Sequence, residues 1–207
     1  RIVAMCDVDS QRAARSYAKL PDVPKHTDFR RMLEASGRGI DAVIVAAPDH
    51  IHAPAAMAAL KLGKPVCSEK PLAHDIAEAR FLRSEAARLK AVIQMGNQGT
   101  ASEAFRRGCE LVWAGAIGEV REVWAWNESG GSGLRQPPTA GQPVPSTLDW
   151  DLWLGPAPFR PYHPDWMNWH AWREFGTGQL GNWASHTMNL SMFSMMSLRE
   201  RLTSSCG

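Results

Sequence analysis

No glycine-rich turn stands ahead of the first apolar run of this chain, and no G-x-S-x-G elbow, phosphate-binding P-loop or zinc-helix signature occurs in it. Serine-hydrolase, P-loop and zinc-protease chemistries lose their usual markers. Cysteine is scarce. Cys6, Cys67, Cys109 and Cys206 form no C-x-x-C pair and no metal spacing, so they read as small buried hydrophobes, with Cys206 in the tail. Charge of either sign is not in excess: the formal net charge is +2, which gives no electrostatic reason to expect nucleic acid or an anionic membrane as partner. No run approaches the ~18 apolar residues of a membrane span. Tryptophan is missing from the first half; all nine lie from Trp113 onward, where most read as core and some as platforms for sugar rings. The opening residues show no signal-peptide pattern, so none is expected in these 207 residues. The chain opens on Arg1 and runs straight into strand-like residues, as a fragment starting inside a fold would. Localisation is therefore open between cytoplasmic and exported.

Apolar runs and helical patterns alternate through the first half. Ile2 to Cys6 reads as a strand ending at Asp7. Ser10 to Ala18 reads as a helix capped by Asp9 or Ser10, and a short helix follows Thr27 with Phe29, Met32 and Leu33 inward and Gly37 beyond its end. Ile40 to Ala46 is a second strand, apolar on both faces. Pro54 suits the first turn of the next helix and Gly63 its close. Pro65 to Ser68 and Ala91 to Met95 are a third and a fourth strand. Asp75 with Glu78, and Thr100 with Glu103, look like capping boxes ahead of helices. This alternation predicts an α/β fold: a Rossmann-type parallel sheet with helices on both faces. From Glu119 to Trp126 the pattern switches to a half-exposed strand. Residues 129–146 read as a long loop, a helix is expected from about Ser185, and the tail 203–207 has no packing pattern. We read 1–118 as a truncated nucleotide-binding domain and 119–207 as an incomplete α+β domain for substrate binding and oligomerisation.

Three strand ends carry polar residues, and open α/β sheets bind ligands at those ends. Asp7 suits either a ribose-binding acid or a helix cap. Ala47-Pro48-Asp49-His50-Ile51-His52 follows the second strand; its two histidines also fit an exposed turn and a helix start. Glu69 and Lys70 follow the third strand. The lysine suits a proton donor or alkoxide stabiliser, although from spacing alone the two read as a surface ion pair. His163, Asp165, His170 and His186 are too irregularly spaced for a metal site.

The order Cys6-Asp7-Val8-Asp9, Ala47-Pro48-Asp49-His50-Ile51-His52, Glu69-Lys70-Pro71-Leu72 resembles the Gfo/Idh/MocA family of NAD(P)-dependent oxidoreductases. Gly178-Gln179-Leu180-Gly181-Asn182-Trp183-Ala184-Ser185-His186 resembles that family's G-x-x-x-D-x-x-x-H segment, with Asn182 where an aspartate is usual and Asn189 where another often follows. An amide keeps the hydrogen-bonding shape but accepts no proton. The resemblance implies that the first strand and its G-x-G-x-x-G turn, between the second and fourth strands of such a sheet, are missing. It implies Asp7 on the cofactor ribose, with NAD preferred to NADP because an acid repels a 2′-phosphate. It puts Ala47, Pro48, His52, Glu69, Lys70, Asn97 and Gln98 on the cofactor, and Lys70, Arg173, Asn182 and His186 on a sugar or polyol. Lys70 and His186 would be catalytic and no metal is needed. Hydride transfer at a hydroxyl-bearing carbon is the activity implied, in a homo-oligomer. Redox-assisted glycoside cleavage with retained NAD and a non-catalytic member are the alternatives.

Overall fold

The computed structural model describes residues 1–126, 136–193 and 195. The first half alternates short strands with helices: β1 (Met5–Cys6), α1 (Ser10–Lys19), β2 (Lys25–His26), α2 (Phe29–Ser36), β3 (Val43–Val45), α3 (Asp49–Lys61), β4 (Val66–Glu69), α4 (Ile76–Leu89), β5 (Ile93–Gly96) and α5 (Glu103–Trp113). Further on come α6 (Trp150–Leu154), α7 (Gly178–Thr187) and a helical stretch at 189–193.

Local chemistry sets most boundaries. Asp9 caps α1 by accepting from the backbone N–H groups of Gln11 (3.0 Å) and Arg12 (3.2 Å). Asp75 accepts from the Glu78 N–H (2.8 Å), and the Glu78 carboxylate accepts in return from the His74 N–H (2.9 Å). Gly63, at φ +70°, turns the chain out of α3 while the Lys64 N–H closes on the Ala59 carbonyl. Three expectations shift. The α3 helix starts at Asp49, so Pro54 lies inside it rather than in its first turn. Helix α5 is capped by Ser102, not Thr100, because a 3-10 turn at Gln98–Ala101 comes first. Helix α7 begins at Gly178, seven residues before the expected start at Ser185.

All pairing in the first half is parallel, but it falls into two sheets, β1-β2 and β3-β4-β5. The β2 strand was not anticipated; two residues, Lys25 and His26, carry no alternation to read. The other strands are shorter than their apolar runs. Between β1 and β3 runs a groove of about 590 Å³.

The main core packs α3 on β3, β4 and α4, with Ala56, Ala59, Leu60, Val45, Val66 and Leu82 buried. Burying each of the valines and leucines contributes roughly 1.5–3 kcal/mol. The opposite sheet face is bare. Ile44 is 78% exposed, and Cys67 and Gln94, beside it in register, are exposed too. The expectation that β3 is covered on both faces therefore fails among the described residues. Its edge faces the groove, and no described helix covers that side.

A second core gathers Trp150, Trp153, Trp166 and Trp172 with Phe175 and Tyr162, so four of the tryptophans are core. It sits over the C-terminal ends of β1 and β3: the Asp149 N–H donates to Val8 O (2.9 Å) and the Ser10 N–H to Thr147 O (2.9 Å). The expected strand at 119–126 runs without a partner among the described residues, and its Trp124 and Trp126 are exposed. Of the expected loop, 127–135 lie outside the described residues and 136–146 are irregular; the tail and Cys206 also lie outside.

Candidate active site

The polar residues at the strand ends fall into two groups. Asp7, Ala47 and Pro48 line the groove at the C-terminal ends of β1 and β3. Burial pushes the Asp7 carboxyl up, with the Asp9 N–H (2.9 Å) as its main compensation. An acid held half-buried at a ligand-binding strand end suits ribose hydroxyls.

The second group forms where β4 and β5 meet α7. Glu69 ends β4 and Lys70 follows it. The Lys70 ammonium donates to the Asn182 backbone carbonyl (3.2 Å) and to the Asn182 side-chain oxygen. His186 lies one helical turn beyond Asn182 on α7, hence on the same side of the helix, edge-to-face with Trp183. Asn97, at the end of β5, donates through Nδ2 to the Ser185 carbonyl, while its buried Oδ1 has no hydrogen-bond partner. Gly96 pairs with Glu69 so closely that a Cβ there would stand 3.2 Å from the carboxyl group. Residues 112 apart in sequence are thus brought together: Lys70 meets the Asn182–His186 segment, and Asn97 offers an unused acceptor beside it.

Other expected site residues fall differently. His52 is 1% exposed, and both ring nitrogens are engaged, Nδ1 with Pro71 O (2.6 Å) and Nε2 with Ala47 O (2.7 Å). No ring nitrogen is left for a cofactor; His52 links the Ala47-Pro48 turn to the Lys70-Pro71 turn instead. Arg173 is exposed, and only its carbonyl is tied in, accepting from His74 Nε2 (2.7 Å). Gln98 is exposed at the start of the 3-10 turn.

Sequence reasoning missed the brace that holds α7. Asp49 is 2% exposed, and its Oδ2 accepts from the Thr177 N–H (2.9 Å) and hydroxyl (2.7 Å). Thr177 immediately precedes α7. Next to it, His50 Nε2 lies 3.0 Å from Trp153 O, while the His50 backbone N–H serves Phe175 O (3.2 Å). His50 Nδ1 lies 3.3 Å from Phe175 O as well, so both ring nitrogens face backbone carbonyls, and burial lowers the His50 pKa. His170 is likewise lowered by burial and feels the charges of Asp49 and Lys70. No sequence signal ties Asp49 to a threonine 128 positions away. The glycines from Gly176 to Gly181 have dinucleotide-turn spacing but follow no strand; Gly176 and Gly181 are there because a Cβ would strike Trp169 and Thr177.

Two family models match the chain. Residues 1–97 match "Oxidoreductase family, NAD-binding Rossmann fold", and residues 122–195 match "Oxidoreductase family, C-terminal alpha/beta domain". The chain belongs to the Gfo/Idh/MocA oxidoreductase family. Among its relatives, inositol 2-dehydrogenase 1 of Saccharopolyspora erythraea is 35% identical over 121 residues, which are 58% of this chain and 35% of that protein. The scyllo-inositol dehydrogenase of Lactobacillus casei, solved with NAD(H) and scyllo-inositol bound, is 27% identical at a TM-score of 0.52, over 57% of this chain and 35% of that one. An oxidoreductase domain protein from Kribbella flavida, 24% identical at a TM-score of 0.61, shares the fold over 93% of this chain and 44% of its own. The chain spans about a third of the length of the curated Gfo/Idh/MocA relatives it matches. Among the described residues no helix is long and apolar enough to cross a membrane.

Proposed function

We propose that a protein carrying this chain oxidises a cyclic polyol reversibly at one hydroxyl-bearing carbon, with NAD as hydride carrier. One observation carries the reading: Lys70 is hydrogen-bonded to the α7 segment that bears His186, across the two halves of the chain. The family and the inositol-dehydrogenase relatives support the same chemistry.

The residues present fit the cofactor's two ends. Asp7 offers a carboxylate acceptor for ribose hydroxyls, and Asn97 offers a buried oxygen without a hydrogen-bond partner near Lys70's partner helix. NAD, when bound, supplies the hydride acceptor. Lys70 keeps three hydrogens to share and turns one to the reacting oxygen, stabilising the negative charge that grows there. His186 takes the hydroxyl proton. Asn182 accepts from Lys70 as a neutral amide, so it orients the ammonium without taking its proton. Arg173 is assigned to the substrate rim, since its side chain is exposed. We assign 1–118 to the cofactor and 119–207 to the substrate, and read the exposed row around Trp124 as a surface between copies in a homo-oligomer.

The test uses the longest protein that contains this chain, with scyllo- and myo-inositol and NAD. Lys70→Ala and His186→Ala should each lower kcat by about 10²-fold or more with the fold intact. Unchanged turnover in both would remove the mechanism. NADH should accumulate in step with substrate loss; a redox-assisted bond cleavage returns the hydride and accumulates none.

A further inference from the structure

Lys70 and His186 come from opposite halves of the chain, and one turn of helix grips the backbone beside each of their elements. Asp49 is the first residue of α3 and His52 the fourth. Three positions apart, they share a side of the helix and stand about 4.5 Å apart along its axis. His52 Nδ1 lies 2.6 Å from Pro71 O, the carbonyl of the residue after Lys70. Pro71 has no N–H of its own, so its carbonyl is the backbone group by which that turn can be held. Asp49 Oδ2 accepts from the Thr177 N–H (2.9 Å) and hydroxyl (2.7 Å), directly ahead of α7 with its Asn182 and His186.

The other ring nitrogen makes a third grip. His52 Nε2 lies 2.7 Å from Ala47 O, in the turn whose Ala47 and Pro48 line the groove. Asp49 and His52 are nearly out of water, at 2% and 1% exposure. The helix that carries them is itself fixed in the main core through Ala53, Ala56, Ala59 and Leu60. All three grips are therefore built on a packed helix rather than on a loop, which is what precise placement of reacting groups requires.

We propose that Asp49 and His52 are positioning residues: the first turn of α3 is the frame that sets Lys70 against the Asn182–His186 segment and ties the Ala47-Pro48 turn to the same frame. What the positioned groups do rests on the dehydrogenase reading above. Misplacing a reacting group by about 1 Å can cost about 10²-fold in rate, so a loosened frame shows in kcat even where no contact to substrate is lost.

Substitution separates the two sides of His52. An asparagine amide reaches about as far as Nδ1 and a glutamine amide about as far as Nε2, and each supplies N–H donors. His52→Asn keeps the grip on Pro71 and drops Ala47; His52→Gln does the reverse. The assay uses the longest protein that contains this chain, with scyllo-inositol and NAD. His52→Gln should lower kcat about tenfold or more with little change in KM for NAD, whereas His52→Asn should keep the higher kcat and raise KM for NAD about fivefold or more. Asp49→Ala should lower kcat about tenfold, and Asp49→Asn, which keeps an acceptor, should restore most of it. Thr177→Val, with Thr177→Ser as its rescue, reads the same contact from its other end and serves if a variant at 49 or 52 fails to fold. Residues that only stabilised the fold would lower the urea midpoint in both His52 variants without separating kcat from KM. Equal losses in His52→Asn and His52→Gln would overturn the proposal.

A readout without substrate keeps this apart from the dehydrogenase reading. In the same protein, the Lys70 amine is acetylated with acetic anhydride and followed by mass spectrometry. His52→Gln and Asp49→Ala should loosen Lys70 from Asn182 and speed its labelling about threefold or more; His52→Asn and Asp49→Asn should not. That pattern in a protein without turnover would remove the dehydrogenase reading and support the frame. Equal labelling in all four variants would overturn the frame whatever the activity.

Discussion

Asp49 illustrates how a single residue couples the two halves of the molecule. A carboxylate that is 2% exposed is costly to bury unless its oxygens are satisfied, and Thr177 satisfies one with two donors. Hydrogen bonds to a charged group contribute roughly 1.5–3 kcal/mol, and an orphaned partner costs about as much again. Asp49→Ala should therefore destabilise the chain by about 2–3 kcal/mol in urea unfolding. Asp49→Asn, which keeps one acceptor, should recover part of the loss. A change within experimental error for the alanine variant would mean that the Thr177 contact carries no net energy. Cysteine chemistry is also decided at this scale: burial, then the nearby Asp28 and Asp7 carboxylates, push the Cys6 thiol up to about 12, whereas Cys67 stands exposed on the bare face.

At the scale of elements, the first turn of α3 joins three others. Asp49 reaches the start of α7, His50 reaches α6 and the chain before α7, and His52 reaches the turn that follows Lys70. Burial lowers the His50 pKa below its ordinary 6.5, so the folded chain binds fewer protons there than the unfolded chain does. The sign follows: this contribution is complete above about pH 6.5 and is lost as the pH falls toward the lowered folded value. Thermal unfolding followed between pH 5 and pH 8 should fall more steeply on the acid side for the native chain than for His50→Gln, which does not titrate. Parallel curves would show that His50 is not the group responsible.

At the scale of the whole molecule, the split sheet bears on the proposed binding of NAD. Dinucleotides are held where the strand order reverses, with the pyrophosphate on a helix N-terminus. On the proposed reading the groove between β1 and β3 is that point, flanked by Asp7 and Pro48, but among the described residues no glycine-rich strand-to-helix turn opens onto it. The 207-residue chain alone should thus show weak NAD binding or none by calorimetry. Micromolar affinity would mean that Asp7 and the Ala47-Pro48 turn suffice without a pyrophosphate cradle.

Periodic patterns and caps are local, so they were legible: α1, α2 and α4, the strand positions of β1, β3, β4 and β5, and the family-specific Glu69-Lys70-Pro71 all follow from near neighbours in the sequence. The strand at Lys25–His26 was not legible, because two residues leave no period. The expected strand at 119–126 had the right alternation and no partner among the described residues, since a strand exists only by its neighbour. At the site, Lys70, Asn182 and His186 could be named from motifs, but that Lys70 reaches Asn182 is a fact of chain folding. The reassignment of His52 from ligand contact to a link between two turns has the same origin. By itself the sequence determined which polar side chains stand at the strand ends and which segments repeat as strand and helix. Only the tertiary structure decided what they touch: the Lys70–Asn182 and Asp49–Thr177 contacts join residues 112 and 128 positions apart, the groove opens between two separate sheets, and nothing in local propensity encodes their meeting.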